Sequence, residues 1–213
     1  MKDGSMSQDL ELELLVPQPK KRRGTGWNAR DITLVSIFAS IWIASQITLG
    51  PVIGRFSIGP VSLHGVVNRV VGWMLMLVLA DISAGFGMVS AMSLIAALGT
   101  RIIRLSPLTG FVVGAGYALG GLAFDAILSN RHSAGLRGAP KKLLPLFASA
   151  ISGALAMAPY VLFKLSVLSL DAFLALAPVY AVSTIKGVLF SVVGTSLALS
   201  VLPRVKAASE FIV

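Results

Sequence analysis

Ionisable and aromatic side chains are sparse in this chain, and their positions are the first clue to its chemistry. His64, Asn68 and Arg69 fall together in one apolar stretch, and Lys186 falls well inside another, just after Ser183 and Thr184. His64 and Asn68 are four apart and share a helix face; Arg69 lies about 100° further round. Ionisable groups at membrane depth are costly and mark functional sites by default. The three tyrosines, Tyr117, Tyr160 and Tyr180, fall one each in three successive apolar stretches. Tyr117 is nine residues beyond Leu108, roughly 14 Å deep at 1.5 Å per residue. Around these residues the charge is biased basic: Arg55, His64, Arg69, Lys164 and Lys186, opposed by Asp171. A low-dielectric pocket lined this way favours an anion. The expectation is a ligand with a carboxylate or phosphate, held by Arg69 or Lys186, with its ring stacked on tyrosine. The competing expectation is an ion pair of Arg69 or Lys186 with Asp171, each tyrosine bonding a backbone carbonyl. The expected ligand-binding set is Arg55, His64, Asn68, Arg69, Tyr117, Tyr160, Tyr180, Thr184 and Lys186.

Catalytic signatures do not accompany this set. The basic segment Gly138-Ala139-Pro140-Lys141-Lys142 lacks the spacing and the hydroxyl of a phosphate-binding loop. His64 and His132 are the two histidines, and no His-Glu-x-x-His run occurs. No Gly-x-Ser-x-Gly elbow is present. The absence of cysteine excludes disulfides and thiolate metal sites. The chain reads as a non-enzyme without metal or cofactor. Asp81 and Asp125 read as helix caps or partners of loop arginines.

The elements that position these residues follow from composition. Of 213 residues, 55% are hydrophobic and 13% charged, with mean hydropathy +0.85. Soluble domains carry about 25% charged residues, and disordered chains need low hydrophobicity. Both classes are excluded. The net charge of +9 does not indicate nucleic acid, because most basic residues flank apolar segments, where they set orientation. At about 20 residues per crossing, the sequence predicts an all-α integral membrane protein with six transmembrane helices. The spans are 32–49, ended by Gly50-Pro51; 61–79; 88–103, after a Gly85-Phe86-Gly87 turn; 108–128, opened by Pro107; 143–165; and one within 171–202. In the last, Pro178 predicts a kink or a lead-in loop. Residues 1–28 read as a flexible cytoplasmic tail without a cleavable signal, and 29–206 as the membrane-embedded binding domain. Lys20–Arg23, Arg30, Arg131, Arg137, Lys141, Lys142, Arg204 and Lys206 outweigh Arg55, Arg101, Arg104 and Lys164, which predicts both termini inside. Arg101 and Arg104 break that rule and either snorkel to outer headgroups or do something else.

Lipid supplies no hydrophobic drive between helices, so small residues mark packing faces. Gly110, Gly114, Ala118 and Gly121 share one face of the fourth span, with Gly116 and Gly120 on another. Ser149, Ala150, Gly153, Ala154 and Ala158 mark the fifth. These two spans are expected to pack tightly. Ser36, Ser40 and Ala44 make a smooth stripe on the first. No internal repeat is evident.

Three stretches carry a resemblance: Ala29-Arg30-Asp31-Ile32-Thr33-Leu34 leading into Phe38-Ala39-Ser40, Gly50-Pro51-Val52-Ile53-Gly54, and His64-Gly65-Val66-Val67-Asn68. With the length and the six spans, they make residues 29–204 resemble a substrate-binding S component of an energy-coupling factor (ECF) vitamin transporter. The resemblance implies a multi-pass protein of a prokaryotic cell membrane, with a small vitamin-like ligand and no nucleic acid. It implies a transmembrane coupling subunit and two ATPase subunits as partners, and transport by toppling within the bilayer. The coupling subunit would dock on spans one to three, at Ser36, Ser40 and Ala44, where the family carries alanines. Spans four to six and the first loop would shape the pocket, with Arg55 in a gate. The alternative is a small multi-pass membrane enzyme or a channel.

Overall fold

A computed structural model describes residues 27–58, 61–62, 65–83, 86–105, 107–133 and 143–210. The expected tail and the basic 134–142 loop lie outside the described residues. Helix α1 (Ala29–Ile53) opens on a capping box. The Asn28 side-chain oxygen accepts from the Asp31 N–H at 2.9 Å, and Asp31 Oδ2 accepts from the Asn28 N–H at 3.1 Å. The predicted stop at Gly50-Pro51 is corrected: the helix runs through Pro51 to Ile53. Proline removes one intrahelical bond, but its own φ is helical, so the last turn closes regardless. Gly54 N–H then donates to the Gly50 carbonyl at 2.9 Å.

The second span is also corrected at its start. Two short strands, β1 (Ser57–Ile58) and β2 (Val61–Ser62), pair antiparallel where a helix was expected from residue 61. The β-branched Ile58 and Val61 suit extended backbone. Helix α2 (Val66–Ile82) begins only after Gly65, whose φ of +79° is left-handed. Gly87 performs the same service at φ +96° before α3 (Met88–Ile103), whose bounds coincide with those expected. Helix α4 (Leu108–Ser133) follows Pro107.

The fifth span divides. Helix α5 (Leu143–Leu155) ends, Ala156 and Met157 turn, and α6 (Ala158–Val167) resumes. Pro159 explains the break, since it has no N–H for the Leu155 carbonyl and its ring crowds that group. No lead-in loop precedes the sixth span: α7 (Leu170–Glu210) is one helix through Pro178 and Pro203. Among the described residues, four helical stretches are long and apolar enough to cross a bilayer: Ala29–Ile53, Leu108–Ser129, Leu143–Val167 and Leu170–Pro203. Helices α2 and α3 are shorter, at 17 and 16 residues. The chain is therefore a helical, membrane-embedded type of protein.

Helix α2 is the most enclosed element, with Val67, Asn68, Arg69, Gly72, Trp73 and Met76 among its buried residues. It packs on α7 and α1, while α4 packs on α3 and α5. The expected close approach of α4 and α5 is present. A methyl built on Gly116 would collide with the Ala156 carbonyl, and one on Gly120 would lie 3.0 Å from the Ser152 carbonyl. Gly121 faces Ser93 of α3 instead, and Gly194 of α7 meets the Val70 carbonyl. Trp42, Trp73, Met76, Leu79 and Phe124 fill the interior. The outside carries rows of exposed aliphatics such as Ile37 and Ile41 on α1 and Leu94, Ile95 and Leu98 on α3. Ser36, Ser40 and Ala44 are exposed beside the α1 row.

Candidate functional site

A cavity of about 220 Å³ opens where α1 and α3 end and where α2 and α4 begin. Gln46 and Gly50 of α1, Asn68 and Arg69 of α2, and Arg101 and Arg104 at the end of α3 line one part. Val113 and Tyr117 of α4, the Ala156-Met157 turn, Tyr160 of α6, and Ser183, Lys186, Gly187 and Phe190 of α7 line the rest. The Pro159 break contributes directly, because it places the turn and Tyr160 in the wall.

Arg69 is the most constrained cation. It is 7% exposed, and its Nη1 donates to the Gly153 carbonyl at 2.7 Å. Its guanidinium carbon lies 5.4 Å from the Trp73 ring centroid and 5.3 Å from that of Tyr117, within cation–π range. Gly187 leaves the room it occupies: a methyl there would lie 2.8 Å from that carbon. Tyr117 in turn meets Trp42 and Trp73 edge to face, both at 6.1 Å. Trp42 Nε1 donates to Asn68 Oδ1 at 2.5 Å, and Trp73 Nε1 donates to Ser152 Oγ at 2.7 Å. Trp73 and Tyr117, backed by Trp42 and with both indole N–H groups satisfied, thus hold Arg69 in place.

Arg101 and Arg104 approach from α3. The Arg101 stem runs along α4, 3.5 Å from where a Gly114 methyl would be. Its Nε is shielded from solvent and has no hydrogen-bond acceptor. Arg104 Nη2 donates to the Gln46 carbonyl. With Lys186, four cationic side chains share one cavity, and no described lining residue is acidic. Asp171 is exposed in the first turn of α7, and no described carboxylate pairs with Arg69. The expected Arg69–Asp171 alternative is therefore absent.

Of the expected set, Asn68, Arg69, Tyr117, Tyr160 and Lys186 line the cavity. Tyr180 lies one layer behind, edge-on to Tyr160 at 6.2 Å and against Phe173 at 5.4 Å. The Thr184 hydroxyl is spent within its helix, donating to the Tyr180 carbonyl at 2.9 Å. Arg55 is exposed in the link after α1, apart from the lining. His64 lies outside the described residues. Lys164 sits above the Tyr160 ring at 5.7 Å. Sequence reasoning missed Gln46, Arg101 and Arg104 as lining residues; the signal was there in the two arginines that broke the charge-orientation rule.

At the opposite end, Asp125 of α4 performs the capping expected of it, for a neighbouring helix. Its Oδ2 accepts from the N–H groups of Gly87 and Ser90 at 2.8 and 3.1 Å and from Ser90 Oγ at 3.0 Å. This satisfies orphan donors at the α3 N-terminus and opposes the helix dipole. Among the described residues, no three His, Asp or Glu side chains gather as metal ligands would. The chain matches no protein-family model, no curated protein and no solved structure.

Proposed function

We propose that this protein is the membrane-embedded binding subunit of an importer, an S component of the ECF type, which captures a compact anionic molecule. The observation that carries the reading is the convergence of Arg69, Arg101, Arg104 and Lys186 on one cavity without an acidic lining residue. Such a site, walled by protein and lipid, concentrates anions. Tyr117, Tyr160, Phe190, Val113 and Met157 supply an apolar and aromatic wall for the rest of the ligand. At about 220 Å³, the cavity is smaller than the roughly 300–1,000 Å³ that drug-sized ligands occupy, which favours a molecule smaller than a nucleotide.

In this reading six helical rods cross the bilayer, α5 and α6 forming one, with both termini inside and the cavity toward the outer face. Helices α2 and α3, at 17 and 16 residues, cover about 25 Å at 1.5 Å per residue. Their shortness is accommodated by local thinning and by arginine stems reaching the headgroups. The exposed Ser36, Ser40 and Ala44 stripe serves as the docking face for the coupling subunit. Two ATPase subunits act in trans. The test is affinity purification of the full chain from cells that make it, read by native mass spectrometry. The expected result is a complex with a coupling subunit and two ATPases, carrying a retained small anion. A chain that is recovered alone and empty from gentle extraction refutes the reading.

A further inference from the structure

We infer that Arg101, on the last turn of α3, and Arg104, its C-cap, form the oxyanion grip of the cavity, and that the group they take is a doubly charged phosphate monoester. The inference rests on the anion-binding reading above. The four lining cations are not equivalent. Arg69 is already committed to the Gly153 carbonyl and to two ring faces. It contributes charge from a fixed post rather than a free fork. Arg101 and Arg104 are three residues apart, so they project from one helix face. Arg101 Nε is buried with no acceptor, and Arg104 uses one Nη on a carbonyl. An unsatisfied buried guanidinium N–H is costly, and an oxyanion is the acceptor that removes the cost.

Charge and shape then choose among oxyanions. The chain has nine acidic residues in all, and none of the described ones lines the cavity. A planar carboxylate engages one guanidinium fork through two oxygens and balances one charge. A phosphate monoester presents three terminal oxygens and close to two negative charges at neutral pH. It can accept from both arginines at once and balance the charge of both. The aromatic wall at Tyr117 and Tyr160 accepts an aryl or other planar remainder.

Lipid phosphodiesters share the phosphate chemistry but carry a single charge, so the experiment must separate the two sources. The probes are phenyl phosphate, benzoate, and phosphatidylglycerol in mixed micelles, each added to the full-length protein in neutral detergent and followed by calorimetric binding and by thermal unfolding. Phenyl phosphate is expected to bind about tenfold or more tightly than benzoate, the worth of one additional charged hydrogen bond. Arg101→Gln and Arg104→Gln should each weaken phenyl phosphate by about tenfold to a hundredfold. Arg101→Lys keeps the charge and loses the fork; it should be weakened nearly as much, while its ligand-free unfolding temperature reports intact folding. Benzoate binding equal to or tighter than phenyl phosphate overturns the phosphate assignment and leaves the anion reading standing. Phosphatidylglycerol stabilising the protein as much as phenyl phosphate overturns it as well and gives the pair to lipid. Unchanged phenyl phosphate affinity in Arg101→Lys and in both Gln variants removes the grip. Binding of none of the anions removes both proposals.

Discussion

Gly187→Ala tests whether Arg69 is as tightly held as its surroundings imply. In most helices the change stabilises, because alanine is favoured over glycine by about 1 kcal/mol. Here the new methyl would lie 2.8 Å from the Arg69 guanidinium carbon and 2.9–3.0 Å from its two terminal nitrogens. A guanidinium on a free stem would step aside at little cost. This one is held by the Gly153 carbonyl at 2.7 Å and lies against Trp73 and Tyr117. Losing a hydrogen bond to a charged group costs about 1.5–3 kcal/mol, and two weakened cation–π contacts add roughly 1 kcal/mol. Set against the helix gain, the net loss is about 1.5–3 kcal/mol, or a fall of roughly 3–12 °C in Tm for a chain of this size. Thermal unfolding in detergent measures it, at a fixed scan rate. The control is the same change in an Arg69→Met background, where no guanidinium occupies the space. There Gly187→Ala should be neutral or stabilising, so the two changes couple by about 1.5 kcal/mol or more. A Gly187→Ala protein as stable as the parent, with no coupling to Arg69→Met, would refute the argument that Arg69 is pinned.

Asp125→Ala should lower stability by about 1–2 kcal/mol, the worth of a helix cap, and Asp125→Asn, which keeps an acceptor oxygen, should lose less; equal unfolding temperatures for Ala and parent would deny that Asp125 anchors α3. Gly116→Ala should cost about 1–3 kcal/mol, because the methyl meets the backbone carbonyl of Ala156 and helices must part. Gly114→Ala, two residues away with nearest neighbours at 3.5–3.7 Å, should be neutral or gain up to about 1 kcal/mol, and the reverse order in unfolding temperature would contradict the packing. The chain has no cysteine, so single replacements report topology cleanly. Leu105→Cys should react with an impermeant maleimide in intact cells and Ala139→Cys only after permeabilisation; the opposite pattern would invert the proposed orientation.

Much of the architecture was legible because the signals are local. A glycine next to an apolar run acts on its own neighbours, so the bounds of α3 are legible in the sequence. The misread ends share a cause. Pro51 suggests a helix stop and Pro178 a kink or lead-in loop, but both lie inside helices, because a proline's φ suits a helix and its cost can be absorbed near an end or within a packed rod. Pro159 is the proline that breaks a helix. The second span begins late because two β-branched residues, Ile58 and Val61, lie in a strand pair, and hydrophobicity alone cannot tell a strand from a helix start.

Sequence alone determined the class of this protein: with 55% hydrophobic and 13% charged residues, the chain must bury its backbone polar groups in helices and present aliphatic side chains to lipid. It also determined which helix faces are small enough to touch. Only the tertiary structure decided which cations meet. Arg69 and Arg101 are separated by 32 positions in sequence, and Arg101 and Lys186 by 85, so no periodicity within one helix relates them. Their convergence depends on how α3 seats against α4 and how α7 seats against α2. The same packing placed Tyr180 behind Tyr160 and brought Arg101 and Arg104 into the wall. Helical spacing assigns a residue to a face, and the rotation and depth of each rod within the bundle assign that face to a neighbour, to lipid or to a cavity.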